Sequence, residues 1–167
     1  MSGFVPRART RTYLEMTSPD QLIPSEQTAE ISLEERPAGD DEVRQTIAAI
    51  AAPYGWRTAY YDAEEWAAYF AADRRHWLIK DADQTIGSLE LQISGSEVQV
   101  ETFGLVPESV GTGRGGAALT AALRHAWTIA PGITRVWLHT SNLDNPAALP
   151  IFQARGLVPY MTEYKTD

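Results

Sequence analysis

The order of apolar and polar positions predicts most of the elements of this chain. Residues 29–35 alternate, with Ile31 and Leu33 on one face, as a half-buried strand requires, and the run ends at Pro37 and Gly39. From Asp40 the period turns helical: Val43, Ile47 and Ile50 share a face, Asp40 or Asp41 can cap the first turn, and Pro53 and Gly55 stop it. A second helix is predicted over 62–72, with Trp66 and Phe70 one turn apart. Strands over 76–80 and 85–94 join through a turn at 81–83, and a further strand after Gly95 carries Val98, Val100, Phe103 and Leu105. A long helix over 113–129 presents Leu119, Ala122, Leu123 and Ala126 on one face and stops at Pro131 and Gly132. A strand over 134–140, a helix over 145–155 and a closing strand over 157–164 complete the pattern. The expected fold is a single α/β domain over 29–167, a mixed sheet with helices on both faces. An N-terminal extension over 1–28 precedes it: a basic tail or edge extension to residue 11, then a short added strand at 12–16 as a possible sheet edge.

The chain is organised around residues 101–119. A strand stops at Pro107, and a turn carrying Gly111, Gly113, Gly115 and Gly116 feeds the long helix. Glycine suits such a turn because it accepts positive φ and lets backbone wrap an anion. The free N–H groups at the helix start then converge with the partial positive charge of the helix dipole, so the expected ligand is a phosphate or pyrophosphate. Gly111, Gly113 and Gly116 spell the dinucleotide fingerprint, but that fingerprint follows its strand directly and is followed by further βα units. Here residues 107–110 intervene and little more than one further strand, helix and strand remains, so a nicotinamide-binding domain loses on topology. No Lys-Ser or Lys-Thr closes the loop, which excludes a P-loop.

Composition narrows the chemistry. The 167 residues include no cysteine, which excludes disulfides, Cys-based metal sites and a thiol nucleophile, and the three histidines show no ligand spacing. The expectation is metal-free chemistry. A net charge of −8 and a pI near 4.9 argue against nucleic acid or an anionic membrane as partner; they suit a cationic amine substrate, and equally an ordinary soluble enzyme. Arg7, Arg9 and Arg11 are followed by no apolar segment, and nowhere do 18 apolar residues run together, so the expected location is cytoplasmic.

The glycine stretch resembles motif A of the GNAT superfamily of N-acetyltransferases, Gln/Arg-x-x-Gly-x-Gly/Ala, which binds the pyrophosphate of acetyl-CoA. Laid on this chain it runs Val110, Gly111, Thr112, Gly113, Arg114, Gly115, with both glycines in place and Val110 where the family has Gln or Arg. Asn145, Ala148, Phe152, Gly156 and Leu157 are similar to the later motif, Asn-x-x-Ala-x-x-x-Tyr-x-x-x-Gly-Phe, with Phe152 for the Tyr. The resemblance covers 29–164 and is strongest over 96–157. It implies a mostly antiparallel sheet splayed between the fourth and fifth strands counted from residue 29, with possible homodimerisation.

The resemblance also implies roles. Glu101, on the strand entering the loop, becomes the candidate general base that takes the proton of the amine; alternation equally permits a solvent-facing or salt-bridged carboxylate. The backbone of Leu105 or Val106 would stabilise the oxyanion and pair with the pantetheine arm. Gly111, Thr112, Gly113, Gly115 and Gly116 would cradle the pyrophosphate, Arg114 would reach a phosphate, and Asn145 would cap the last helix, bind the cofactor arm, or both. Phe152 can pack on the arm but cannot donate a proton, so either Tyr160 replaces the missing acid or the thiolate leaves unaided. His139, near the end of the fifth strand, is a third catalytic candidate or a structural histidine. Trp56, Tyr60 and Tyr61 are candidates for framing the acceptor. The implied activity is acetyl-CoA-dependent transfer to a primary amine of a small molecule or peptide; the alternative is an acyl-CoA-binding or sensory module that has lost its proton chemistry.

Overall fold

The computed structural model describes residues 3–27 and 29–166. In chain order its elements are β1 (Ala8–Met16), β2 (Ile31–Arg36), α1 (Asp41–Ala51), α2 (Ala63–Ala71), β3 (Arg75–Asp81), β4 (Gln84–Ser94), β5 (Glu97–Leu105), α3 (Gly115–Thr128), β6 (Arg135–Ser141), α4 (Ala148–Ala154) and β7 (Val158–Thr166). Among the described residues the strands form one seven-stranded sheet in the order β2-β3-β4-β5-β6-β1-β7. Neighbours run antiparallel except β5 and β6, which are parallel and pair only over Glu97–Gln99 and Arg135–Trp137. Beyond Gln99 these two strands part, and the gap between them is the cleft.

Helices cover both faces. Leu119 and Leu123 of α3 and Phe152 of α4 pack with Leu14, Leu89, Leu91 and Val136 of the sheet. On the opposite face Val43 and Ile47 of α1 and Trp66 of α2 close around Leu78. Each fully buried Leu or Ile here contributes about 1.5–3 kcal/mol. Trp66 is 7% exposed and stacks on Phe70 with ring centroids 5.7 Å apart, so this pair anchors α2 to the sheet. Both helices on that face start on a side-chain cap. The Asp40 carboxylate accepts from Val43 N–H at 3.0 Å, and Asp62 and Glu65 form a reciprocal capping box. The N-terminus of α3 has no side-chain cap of this kind.

β1 lies inside the sheet and not at its edge. It pairs with β6 from Arg11 to Met16 and with β7 from Ala8 to Glu15. Leu14 and Met16 are fully buried in the core cluster that includes Leu119 and Leu123 of α3, whereas Arg9, Arg11 and Tyr13 alternate onto the other face. A basic, weakly apolar segment thus becomes an interior strand because its neighbours supply both ladders. Two helix starts also shift. α3 begins at Gly115, since Gly113 is left-handed at φ +82°. α4 begins at Ala148, because the Asn145 amide oxygen accepts from Ala147 N–H at 3.0 Å in a turn of its own.

Candidate active site

The splay opens a cleft of about 990 Å³. Its floor is β5 from Val100 to Leu105 and β6 from Leu138 to Ser141; α3 and α4 bound one end, and α1 with the segment after it bounds the other. Val106 N–H donates to Ile86 O at 2.8 Å on the β4 side. Successive N–H groups of a strand point to opposite edges, so the N–H of Leu105 faces the gap. The Leu105 N–H is therefore available as a donor into the cleft. That of Val106 is not, because it is already held by β4.

At one end stands the glycine turn. Gly111 and Gly113 have φ of +76° and +82°, a conformation that side chains resist. Gly113, Gly115 and Gly116 line the cleft with Gly111. A Cβ added at Gly116 would sit 2.8 Å from Gln27 Oε1, 2.8 Å from Ser25 Oγ and 2.9 Å from Arg155 Nη1, so a larger residue there would push these three side chains aside. Gly116 N–H donates to Gln27 Oε1 at 3.1 Å. Arg155 has a buried Nε without a hydrogen-bond partner among the described residues. These groups fit an anionic phosphate: backbone N–H at the start of a fourteen-residue helix whose N-cap residue, Arg114, makes no side-chain cap, with a guanidinium above it.

Arg114 is a correction. Its guanidinium donates to Asp81 Oδ2 at 3.1 Å, Ser109 Oγ at 3.0 Å and Thr112 Oγ1 at 3.0 Å, and neither Arg114 nor Thr112 lines the cleft. Both serve the turn itself, and the basic group at the cradle is Arg155.

At the other end Glu101 enters the cleft from a bulge. Glu90 pairs with Thr102 and Leu91 with Val100, leaving Glu101 as the extra residue, and a bulge re-aims its side chain. Its carboxylate lies 2.7 Å from Arg74 Nε, with both side chains largely buried. Glu101 is thus cleft-lining and salt-bridged at once. Arg74 also stacks over Tyr69 at 4.1 Å. The Tyr69 hydroxyl donates to Glu90 Oε1 at 2.8 Å, and His76 Nδ1 lies 2.7 Å from Glu90 Oε2. Burial first, then the Glu90 charge, raises the Tyr69 pKa well above its usual range, so its hydroxyl stays protonated. Glu90 and His76 are completely buried behind the cleft wall that Tyr69 forms. Sequence reasoning passed over this trio, because Glu90 falls on the polar phase of the alternation Leu89-Glu90-Leu91-Gln92-Ile93 and reads as an ordinary outward carboxylate.

His139 lines the cleft on β6, its ring 5.4 Å from Tyr13. Burial, and then the charge of Arg11, pushes its pKa down to about 4, so the ring is neutral near pH 7 and a poor proton carrier there. Asn145 and Phe152 line the cleft too, with Phe152 7% exposed and edge-on to Phe103 at 6.4 Å. Tyr160 is a second correction. It lies on β7, 42% exposed, with Tyr13 at 6.1 Å and Arg135 over its ring, and it does not line the cleft. No hydroxyl therefore reaches the arm from that position. Of the three aromatics expected to frame the acceptor, Trp56 lines the cleft, held by its Nε1–H donated to Asp144 Oδ1 at 2.7 Å. Tyr60 packs with Phe4, and Tyr61 packs edge-on to Trp66.

No helix among the described residues is long and apolar enough to cross a membrane. The family model described as the acetyltransferase (GNAT) family matches residues 42–157. No curated protein matches the chain. Among solved structures, a GCN5-related N-acetyltransferase from Sphaerobacter thermophilus aligns at 14% identity and a TM-score of 0.68, over 98% of this chain and 52% of that one. One of the same description from Kribbella flavida aligns at 21% identity and 0.64, over 96% and 59%. A tandem GNAT protein from the clavulanic acid biosynthesis pathway aligns at 17% and 0.59, over 99% and 55%. The chain thus spans little more than half the length of each of these proteins, and at such identities the likeness is one of fold.

Proposed function

The chain belongs to the acetyltransferase (GNAT) family, and from that premise we propose that it is an acetyl-CoA-dependent N-acetyltransferase, acting by direct transfer to a primary amine in the cytoplasm. The observation that carries the reading is the continuity of the cleft: Glu101, Leu105 and the glycine cradle line one cavity in that order along β5 and the turn after it. Acetyl-CoA, when bound, supplies a thioester whose carbonyl carbon accepts the amine. The N–H groups at the start of α3, with Arg155, would hold its pyrophosphate, and Asn145 and Phe152 would flank the arm.

An alkylammonium has a pKa near 10 and must lose a proton before it attacks. Glu101, directly or through a water, is the carboxylate in position to take it, and Arg74 fixes where that carboxylate points. The Leu105 N–H faces the place where the thioester oxygen gains charge. As the new C–N bond forms and the C–S bond breaks, the sulfur leaves as a thiolate. A thiol with a pKa near 8.5 is a tolerable leaving group, and the cleft offers it no tyrosine where the family has one.

A second reading, a CoA-binding module without turnover, is favoured by Val110, Phe152 and the Gln27 amide seated on Gly116 N–H. Free-thiol release from acetyl-CoA across an amine panel, with wild type beside Glu101→Gln, separates the two. The expected result is turnover with one amine class that falls about 100-fold or more in the variant, in the range of a lost general base. CoA binding with no thiol release across the panel would refute the transferase.

A further inference from the structure

The acceptor end of the cleft is cationic, although the chain as a whole is acidic. Arg9 and Arg11 occupy successive same-face positions of β1, about 7 Å apart along the strand, and both line the cleft beside His139 and Ser141. Arg57 lines it from the segment after α1. Arg11 donates one weak bond, Nη1 to the Tyr13 hydroxyl at 3.4 Å, and its Nε is buried without a hydrogen-bond partner among the described residues.

The nearby carboxylates each have partners of their own, although the charge of Arg11 also helps to lower the pKa of Glu163. Asp144 accepts from Trp56 Nε1 at 2.7 Å, Thr140 Oγ1 at 3.0 Å and Ser141 N–H at 2.9 Å. Glu163, opposite Arg11 on β7, accepts from the Tyr13 hydroxyl and lies 3.6 Å from Lys165. Glu101 is held by Arg74. A buried guanidinium N–H is costly to leave without an acceptor, and the planar fork of the half-buried Arg11 matches a carboxylate in two parallel bonds. The same field acts on His139, whose depressed pKa owes its second contribution to Arg11.

We propose that the acceptor is a primary amine that also carries a carboxylate, and that Arg11, with Arg9 beside it, holds that carboxylate at the β1 wall of the cleft. The assignment rests on the transferase reading for the word acceptor, but the anion site itself stands on the arginines. β1 and β5 flank β6, so the arginines and Glu101 face the cleft from opposite sides of the same strand. An amino-acid-like molecule would then be gripped by its carboxylate on one side and presented by its amine to the other. The cationic polyamine class, which the overall charge of the chain invites, is repelled at this wall.

The test is isothermal calorimetry on the whole chain saturated with CoA, so that no transfer occurs. The probes are the L-amino acids and ω-amino acids of three to six carbons, each against its own carboxamide. The carboxylate form of at least one probe is expected to bind about 10-fold or more tightly than its amide, as befits a charge-assisted bidentate pair. That difference should shrink to about 2-fold in Arg11→Gln and persist in part in Arg11→Lys, which keeps the charge but not the fork. Amide binding equal to carboxylate binding in every pair, a preference that survives Arg11→Gln and Arg9→Gln together, or tightest binding by putrescine would each overturn the proposal. Thiol release from acetyl-CoA, measured separately, keeps the two readings apart. Carboxylate-dependent binding without release sinks the transferase and leaves the anion site standing; release only with amines that lack a carboxylate does the reverse.

Discussion

Lowering the pH from 7 to 5 should destabilise this protein through His139, by an amount that follows from its surroundings. The folded state holds the ring neutral down to a pKa of about 4, chiefly because it is buried in the sheet and next because Arg11 lies near, while Asp144 pulls weakly the other way. In the unfolded chain the same ring titrates near 6.5. Between those values the unfolded state binds a proton that the folded state refuses, so stability falls as pH falls through that window and is fully present above it. From pH 7 to pH 5 the loss is about 2 kcal/mol, or about 4–8 °C of melting temperature for a chain of this size. His139→Gln removes the titrating group and fits the same partly buried position. The variant should therefore lose less melting temperature than the wild type over the same pH interval, whatever its stability at pH 7. Melting curves by circular dichroism at the two pH values measure this, and an NMR titration of the ring protons gives the pKa directly. Equal pH dependence in wild type and variant, or a His139 pKa near 6.5, would refute the argument. Arg11→Gln should in turn raise the His139 pKa, which ties the electrostatics of the ring to the anion site.

The remaining expectations concern groups whose roles only the fold assigns. Glu90→Ala strands the Tyr69 hydroxyl and His76 Nδ1 in a dry interior and should cost about 3–5 kcal/mol in urea unfolding; Glu90→Gln, able to bond both, should cost markedly less, and equal losses would show that the trio is not coupled. Arg155→Ala should weaken CoA binding by about 10-fold or more in a thermal-shift titration, as loss of a charge-assisted bond does, whereas Arg114→Ala should leave it within about 2-fold because that guanidinium faces Asp81 and Ser109. The opposite ranking would return the phosphate to Arg114.

The alternation of residues 29–35, the helical period after Asp40 and the breaks at Pro107 and Gly132 determined the elements and the α/β class, because local period and turn chemistry act over a few residues. The glycine turn and its anion chemistry were legible for the same reason: positive φ at Gly111 and Gly113 is a backbone demand that the residue type itself announces. The two motifs carried the family, which the match over 42–157 establishes. Only the tertiary structure decided where side chains point. Arg114 sits in the motif yet turns to the β3–β4 turn, while Arg155, about forty positions on, arrives above Gly116 because α4 packs beside α3. Tyr160 lies on a strand that could have faced the cleft, but the pairing of β7 with β1 and not with β6 carries it away. Arg9 and Arg11 looked like a basic tail until β1 entered between β6 and β7 and placed them at the cleft wall. Long-range strand pairing is set by the fit of many distant faces at once, and no local stretch of sequence encodes it.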